Sequence, residues 1–279
     1  MARKKYSFDE KKIQRFLDEG RGKGTGADYK PWLTVQDIAA NSNTVRPVGW
    51  KTGRLHHLLS QLERNYFFYL EWADEVIDIR EQYPLLPLEE TISIAAERGI
   101  RHPCDPHTKV QIPLTTDFFI TVERNGKQDY LARTIKPSEK LNNKRVLEKF
   151  EIERRYWKSR GIDWGIVTER QISKTVATNI MSLHSKGILG ENLKDSLVID
   201  DALERIFVGL QVQHHVNVSA LLAEISKGLD MSAGDCRALF YYLVAKKLIR
   251  FDLTVDCSKD VPLMAFTPVG GWQEWRDAI

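Results

Sequence analysis

Hydrophobic spacing changes period several times in the first part of this chain and then stays helical. Residues 7–19 predict a helix, with Ser7 and Glu10 spaced as a capping box and Gly20 as the stop. GRLHHLLSQLERNYFFYLEW, residues 53–72, predicts a long amphipathic helix, because Leu55, Leu58, Leu59, Leu62, Tyr66 and Tyr69 recur at helical intervals. EVIDIREQYPLLP predicts a strand that ends at prolines, and residues 91–108 a connection. Over VQIPLTTDFFITV the period becomes two. Val110, Ile112, Leu114, Phe118, Ile120 and Val122 share one face, and Gln111, Thr115, Asp117 and Thr121 the other, with Phe119 the exception. Asn125-Gly126 is a strong hairpin signal and leads into a second strand, QDYLARTIKP, ended by Pro137. SEKLNNKRVLEKFEIERRYWKSRG predicts a helix with Leu147, Phe150 and Trp157 on its apolar side, closed by Gly161, and IDWGIVTE a short buried strand.

Helix, strand, hairpin, helix, strand is the order of an α/β domain with a mixed sheet flanked by helices, here spanning residues 1–170. From about residue 171 the pattern is helical, with candidates at 200–211, 217–228 and 232–247, the last opened by Ser232 and Asp235. Two strands follow in LIRFDLTVD and VPLMAFTP. Three helices and a β-ribbon predict a winged-helix-like C-terminal domain over 171–279. The apolar centre of its third helix and the tail bearing Trp272 and Trp275 are candidate docking surfaces.

The chain has 279 residues, 42% hydrophobic and 28% charged, enough for two packed domains. No apolar run approaches the ~20 residues of a membrane span, and MARKKYSFDEKK lacks a signal-peptide core. A cytoplasmic protein with no membrane association is expected. Cys104, Cys236 and Cys257 are scattered, which argues against a disulfide framework. His102, Cys104 and His107 crowd one connection at a spacing that matches no usual zinc pattern. A net charge of +3 permits nucleic-acid binding without requiring it. Residues 1–30 are more basic, with nine Lys/Arg against five Asp/Glu. Within them GRGKGTGADYKPWL places Arg21 and Lys23 among four glycines. This is either a flexible basic loop or one that lies against DNA phosphates, for which Arg21 and Lys23 are the candidates.

Asp117 stands on the polar face of one hairpin strand. Thr134 and Lys136 share a face of the next. A carboxylate on one strand and a lysine on its neighbour suit metal-assisted phosphodiester hydrolysis, the carboxylate binding Mg²⁺ and the lysine acting on the charge at phosphate. Glu63, at the edge of its helix's apolar stripe, either snorkels to water or supplies a second carboxylate. Glu153 is an auxiliary carboxylate or a surface ion-pair partner on an Arg-rich helix.

Asp117, sixteen residues, then Thr134-Ile135-Lys136 resembles the PD-(D/E)XK nuclease pattern, with Thr116 where that pattern has Pro and Thr134 where it has the second acid. More specifically, GRGKGTGADYKPWLTVQ, KTGRLHHLLSQLE, DIREQYPLLP, TTDFF, the Lys136-Pro137 pair and EIERRYW resemble, in this order, the TnsA family, the endonuclease subunit of heteromeric DNA transposases. The resemblance spans residues 1–170 and is loose beyond. It implies a restriction-endonuclease-like fold and an active site of a helix glutamate, a strand aspartate and a Gln-x-Lys. These fall on Glu63, Asp117, Thr134 and Lys136, and Thr134 departs from the family's Gln. It implies Mg²⁺, with Mn²⁺ as a substitute, held by Glu63, Asp117 and Thr134, while Glu63, Asp117 and Lys136 carry catalysis. It also implies double-stranded DNA at transposon ends as substrate, cleavage near the 5′ ends, and two partners, the DDE transposase TnsB and the ATPase regulator TnsC. The alternatives are a standalone restriction or repair nuclease and a non-catalytic DNA-binding assembly protein.

Overall fold

The computed structural model describes residues 7–38, 43–194 and 198–279. The basic residues Arg3, Lys4 and Lys5 of the expected N-terminal basic segment lie outside them. The chain divides into two compact units, Met1–Ser173 and Lys174–Ile279. No helix among the described residues is long and apolar enough to cross a membrane.

Helix α1 (Glu10–Asp18) is capped by Asp9, whose carboxylate accepts from Lys12 N at 2.7 Å. The expected Ser7–Glu10 box is therefore not the cap. Asp is as good a cap as Ser, and the preceding residue is pinned elsewhere: Phe8 is buried and its N–H donates to Asp105 at 2.8 Å. Gly20 does end the helix, at φ +73.

Helix α2 (Gln61–Trp72) is shorter than its leucine spacing predicts. Residues 45–58 are instead an extended excursion, held by bridges between Val45 and Leu58 and between Val48 and Leu55. The physical start signal is Ser60, whose hydroxyl accepts from Glu63 N at 3.1 Å. Leu55, placed on the apolar stripe by its spacing, is exposed, while Leu58 is buried.

Strand β1 (Val76–Pro84) follows, then helix α3 (Leu88–Glu97) where a connection was expected, then β2 (Thr115–Arg124), β3 (Lys127–Ile135), α4 (Lys144–Ser159) and β4 (Asp163–Val167). The α3 segment carries its own signals: Glu89 and Glu90 in the first turn, where the helix dipole favours acids, and Gly99 just past the end at φ +62. The sheet order is β1-β2-β3-β4, antiparallel except for the parallel β3–β4 pair. This is the expected mixed sheet, and helices cover both faces. Tyr66 of α2 meets Phe118 with ring centroids 5.6 Å apart, while Trp157 of α4 stacks on Phe119 at 4.8 Å. The core on the α4 side joins Ile94, Phe119, Ala132, Ile152, Tyr156 and Trp157. Leu147, expected on the apolar side of α4, is exposed.

The glycine-rich loop runs beside β1. Gly26 N donates to Asp78, Tyr29 Oη donates to the Glu81 carbonyl and Trp32 N to that of Gln82. Gly22 (φ +80) packs so closely on Pro84 that an added Cβ would fall 2.3 Å from its Cγ. Gly22→Ala combines a left-handed backbone with that overlap, and is expected to cost about 2–4 kcal/mol in urea unfolding.

In the second unit α5 (Lys174–His184) and a single turn, α6 (Glu191–Lys194), precede α7 (Ile199–Val212), α8 (Val218–Leu229) and α9 (Ala233–Ala245). Strands β5 (Ile249–Phe251) and β6 (Phe266–Pro268) pair antiparallel, and α10 (Trp272–Arg276) ends the chain. The three helices and two strands expected here are present. Of the expected docking surfaces, the centre of α9 and Trp275 are taken up by packing within this unit, while Trp272 is half-buried. Leu239, Phe240, Leu243 and Val244 of α9 are buried, and Trp275 is fully buried, packed on Phe207 and donating its indole N–H to the Val269 carbonyl at 2.7 Å.

Candidate active site

The capping box that starts α2 also fixes Glu63. As the third residue of the helix it turns its carboxylate back, accepting from Leu59 N at 2.9 Å and from the Ser60 hydroxyl at 2.8 Å. Glu63 is buried, so it does not snorkel to water. Asp117 lies near it on the α2 side of the sheet, and Asp117 accepts from Ile135 N at 2.6 Å, just where β3 ends. Simple alternation would set Asp117 opposite Phe118. However, Trp157 of α4 donates to Thr116 and stacks on Phe119, while Phe118 faces α2. Thus the two-residue period slips at Asp117, leaving Asp117 and Phe118 on the same side.

The slip lies across from Gln82, a buried residue of β1 with φ +49. Its side-chain amide lies 3.4 Å from Glu63 and 3.5 Å from Asp117, and its carbonyl oxygen accepts from the Thr115 hydroxyl. Nothing in the residue pattern singles out Gln82, because a left-handed residue inside a strand leaves no mark in hydrophobic spacing.

Two carboxylates so close, Glu63 buried and Asp117 half-buried, resist ionisation. Burial raises both, and Glu63 is raised further by the charge of Asp117. Lys136, one residue past β3, opposes this by drawing both downward. Glu63, Asp117 and Lys136 are thereby brought together.

Thr134 is not turned to this group. Its hydroxyl donates to Glu153, and it accepts from the Trp164 indole at 3.2 Å. Glu153, weighed above as a surface ion-pair partner, is buried and takes a second bond from Thr116 at 2.6 Å. Burial pushes it up to about 7 against those hydroxyl bonds. The signal was available: Phe150, Glu153 and Trp157 fall at i, i+3 and i+7, on one helix face. Thr134→Val should leave the buried Glu153 short of a donor and lower thermal stability by about 1–3 kcal/mol.

Arg21 does not present a free cation to DNA either. It pairs with Glu19 and Asp37, donates to the Trp32 carbonyl, and lies 3.6 Å from the centre of the Phe16 ring. Lys23 is exposed. His56, which the long-helix expectation placed on α2, is fully buried in the excursion before it and bonds Glu81 at 2.8 Å.

Residues 73–169 match the family model described as TnsA-like endonuclease N terminal, and residues 171–253 that described as TnsA endonuclease C terminal. The chain is 38% identical over 253 residues to the Transposon Tn7 transposition protein TnsA of Escherichia coli, covering 91% of this chain and 90% of that protein. The chain belongs to the TnsA endonuclease family. It is a DNA endonuclease. Asp117, Lys136 and Glu153 fall within the stretch matched by the N-terminal TnsA model, whereas Glu63 lies ahead of it.

Proposed function

We propose that this TnsA-family protein is the Mg²⁺-dependent nuclease subunit of a heteromeric transposase and cleaves near the 5′ ends of its transposon. The observation that carries this reading is the juxtaposition of buried Glu63 and half-buried Asp117, costly to ionise together and flanked by Lys136. A fold keeps such a pair at the expense of stability when a cation is to sit between them.

The donor set suits magnesium. Among the described residues no three His, Cys, Asp or Glu side chains gather as a metal cage. A site of two carboxylates, completed by water and substrate phosphate, is the habit of Mg²⁺, and Mn²⁺ takes the same oxygens. Glu63 and Asp117 would hold the ion. The Ile135 carbonyl is a further oxygen donor, because it leaves β3 on the same edge as the N–H that meets Asp117. When bound, the ion supplies charge neutralisation at the scissile phosphate and an acidified water. Gln82 holds the two carboxylates in register, and Lys136 contributes positive charge to the phosphate. The Thr134 side chain, occupied with Glu153, acts on the site from behind.

Lys136→Ala is expected to slow cleavage by on the order of 10²-fold or more and to retain metal binding by calorimetry. Loss of metal binding as large as in Asp117→Ala would contradict the role given to Lys136.

The substrate is double-stranded DNA at transposon ends, and the partners are a DDE transposase of the TnsB kind and an ATPase of the TnsC kind. The succession α7, α8, α9, β5, β6 supports a winged helix in the second unit, with α9 as a packing helix rather than a base reader, since its apolar residues are buried. A nuclease with net charge +3 has only a modest overall attraction for DNA, which leaves placement at the transposon ends to the partners. The deciding experiment is cleavage of transposon-end DNA in Mg²⁺, with and without the transposase and ATPase. Cutting at the ends only with the partners is expected. Efficient site-specific cutting by the chain alone would favour a standalone nuclease.

A further inference from the structure

The loop between α3 and β2, which carries His102, Cys104 and His107, is organised around Asp105. That carboxylate is spent on backbone N–H groups of Phe8, His107 and Thr108. Between this loop and α4 is a cavity of about 320 Å³ lined by Arg101, His102, Cys104, Lys109, Arg145 and Lys149, with two prolines. Four of these side chains are cationic and no carboxylate lines the space. Among the described residues Arg101, Lys109 and Lys149 have no ion-pair partner, and only Arg145 does, bonding Glu148 at 2.8 Å. His102 is held in the wall by Thr91 and the Pro103 carbonyl, so its ring is a fixed surface and not a metal ligand.

Such a concentration of like charge opposes folding unless an anion relieves it. The first turn of α4 contains Lys144 and Arg145 and no acid, the reverse of what the helix dipole favours. The Lys149 ammonium is held below its usual range by partial burial and then by the charges of Arg145 and Lys136. That last effect places the cavity within electrostatic reach of the active-site lysine. Arg145, Lys149 and Glu153 recur every four residues, so they line one face of α4 at intervals of about 6 Å. Glu153 bonds Thr116, the neighbour of Asp117. Glu153 and Thr116 lie behind the site, so it is through Lys136, at the end of β3, that the cavity adjoins the site of cutting.

We propose that this cavity binds the phosphodiester backbone of the DNA substrate beside the cleavage site. The assignment rests on the endonuclease reading above. Duplex DNA is the occupant that matches four cations gathered from one loop and one helix around a space without carboxylates, since it presents a negative charge every ~1.7 Å. Arg101, Lys109, Arg145 and Lys149 would set the register of the strand while reading no sequence.

The test is binding of a random-sequence duplex by the full chain over a range of KCl, without divalent metal, so that cutting does not intervene. Each lost phosphate contact lowers the slope of log affinity against log salt by about 0.9. Arg101→Gln/Lys149→Gln is expected to lower that slope by about two and the affinity about 10-fold or more. Arg101→Lys/Lys149→Arg should keep both. A folded double variant with unchanged slope would overturn the proposal. So would a cavity that answers only to small anions, seen as inorganic phosphate raising the melting temperature of the wild type but not of the variant while the DNA slope stays the same. If the double variant does not fold, Lys149→Gln alone decides, by a fall of about one in slope or none. A wild-type chain unable to cut transposon ends even with its partners would sink the nuclease reading, and would leave this salt dependence to be judged by itself.

Discussion

Asp117→Ala is expected to lower DNA-strand cleavage by on the order of 10³-fold or more, the several kcal/mol that a metal-held phosphate contributes, while the protein remains folded. The substitution removes a bond from Ile135 N and a long one from the Gln82 amide, and also removes a half-buried acid whose ionisation is opposed by its surroundings. Glu63→Gln should be equally inactive and reveals the second half of this balance. Burial and Asp117 raise Glu63 above its unfolded value, so the folded protein binds more protons than the unfolded one. The associated stability is fully present below the unfolded pKa and is lost as pH rises through the folded one. In metal-free alkaline buffer Glu63→Gln should therefore melt higher than the wild type, and the gap should close as pH falls. Wild-type cleavage should climb over the same rise in pH, as both carboxylates become available to a cation. Full cleavage by Asp117→Ala with Mg²⁺ as the only metal would remove Asp117 from the site. A Glu63→Gln protein less stable than wild type at alkaline pH would show that its capping bonds outweigh the cost of the buried charge.

How much of this site was legible beforehand depended on how each residue is held. Asp117 and Lys136 stood out because a hairpin signal and two strand patterns placed them at neighbouring strand ends. Glu63 was found from its place beside an apolar stripe, yet the stripe itself misled. Leu55, Leu58 and Leu59 keep helical spacing in a segment that is not helical. The excursion forms because Arg54 and His56 reach Glu81 and because Ser60 and Glu63 close a capping box, and polar pairings across 25 or more residues are invisible to a periodicity. Helix α3 leaves little trace in the pattern because its buried side is Thr91, Ile94 and Ala95, too small and mixed to stand out. Glu153 and Gln82 show opposite failures. Glu153 sits on a readable buried face, which its arginine neighbours disguise. Gln82 is fixed by a backbone conformation and by contacts from three segments. Arg21 failed as a DNA contact for a related reason: Asp37, its partner, is sixteen residues away across a loop.

The largest loss of stability is expected from Glu81→Ala. Glu81 is fully buried beneath the site and receives two bonds from the Arg54 guanidinium, one at 2.8 Å, one from His56 Nδ1 at 2.8 Å and one from His57 N at 3.0 Å. Arg54 also donates to the Ile79 carbonyl, and His56 meets the Thr52 hydroxyl at 2.7 Å. Removing the carboxylate strands a buried guanidinium, an imbalance that typically costs about 3–5 kcal/mol. Most of a small domain's stability would be consumed. Glu81→Gln, which keeps the shape and two hydrogen-bonding ends, should lose less and remain soluble. Arg54→Met/Glu81→Met should be more stable than Glu81→Ala, because it leaves no charge unpaired. The arginine and histidine bonds hold Glu81 down at about 2, so its contribution is present above the unfolded carboxylate value and is lost as pH falls from there through about 2. Urea unfolding at pH 7 and pH 3 checks both points: the deficit of Glu81→Gln relative to wild type should shrink at pH 3. The consequence reaches the chemistry, since Glu81 and Gln82 are adjacent on β1. Any shift of the Arg54–Glu81 pair moves the amide that bridges Glu63 and Asp117. Glu81→Gln should therefore cut more slowly than its residual stability accounts for, and an unimpaired rate in the folded fraction would show that Gln82 is positioned by β1 alone.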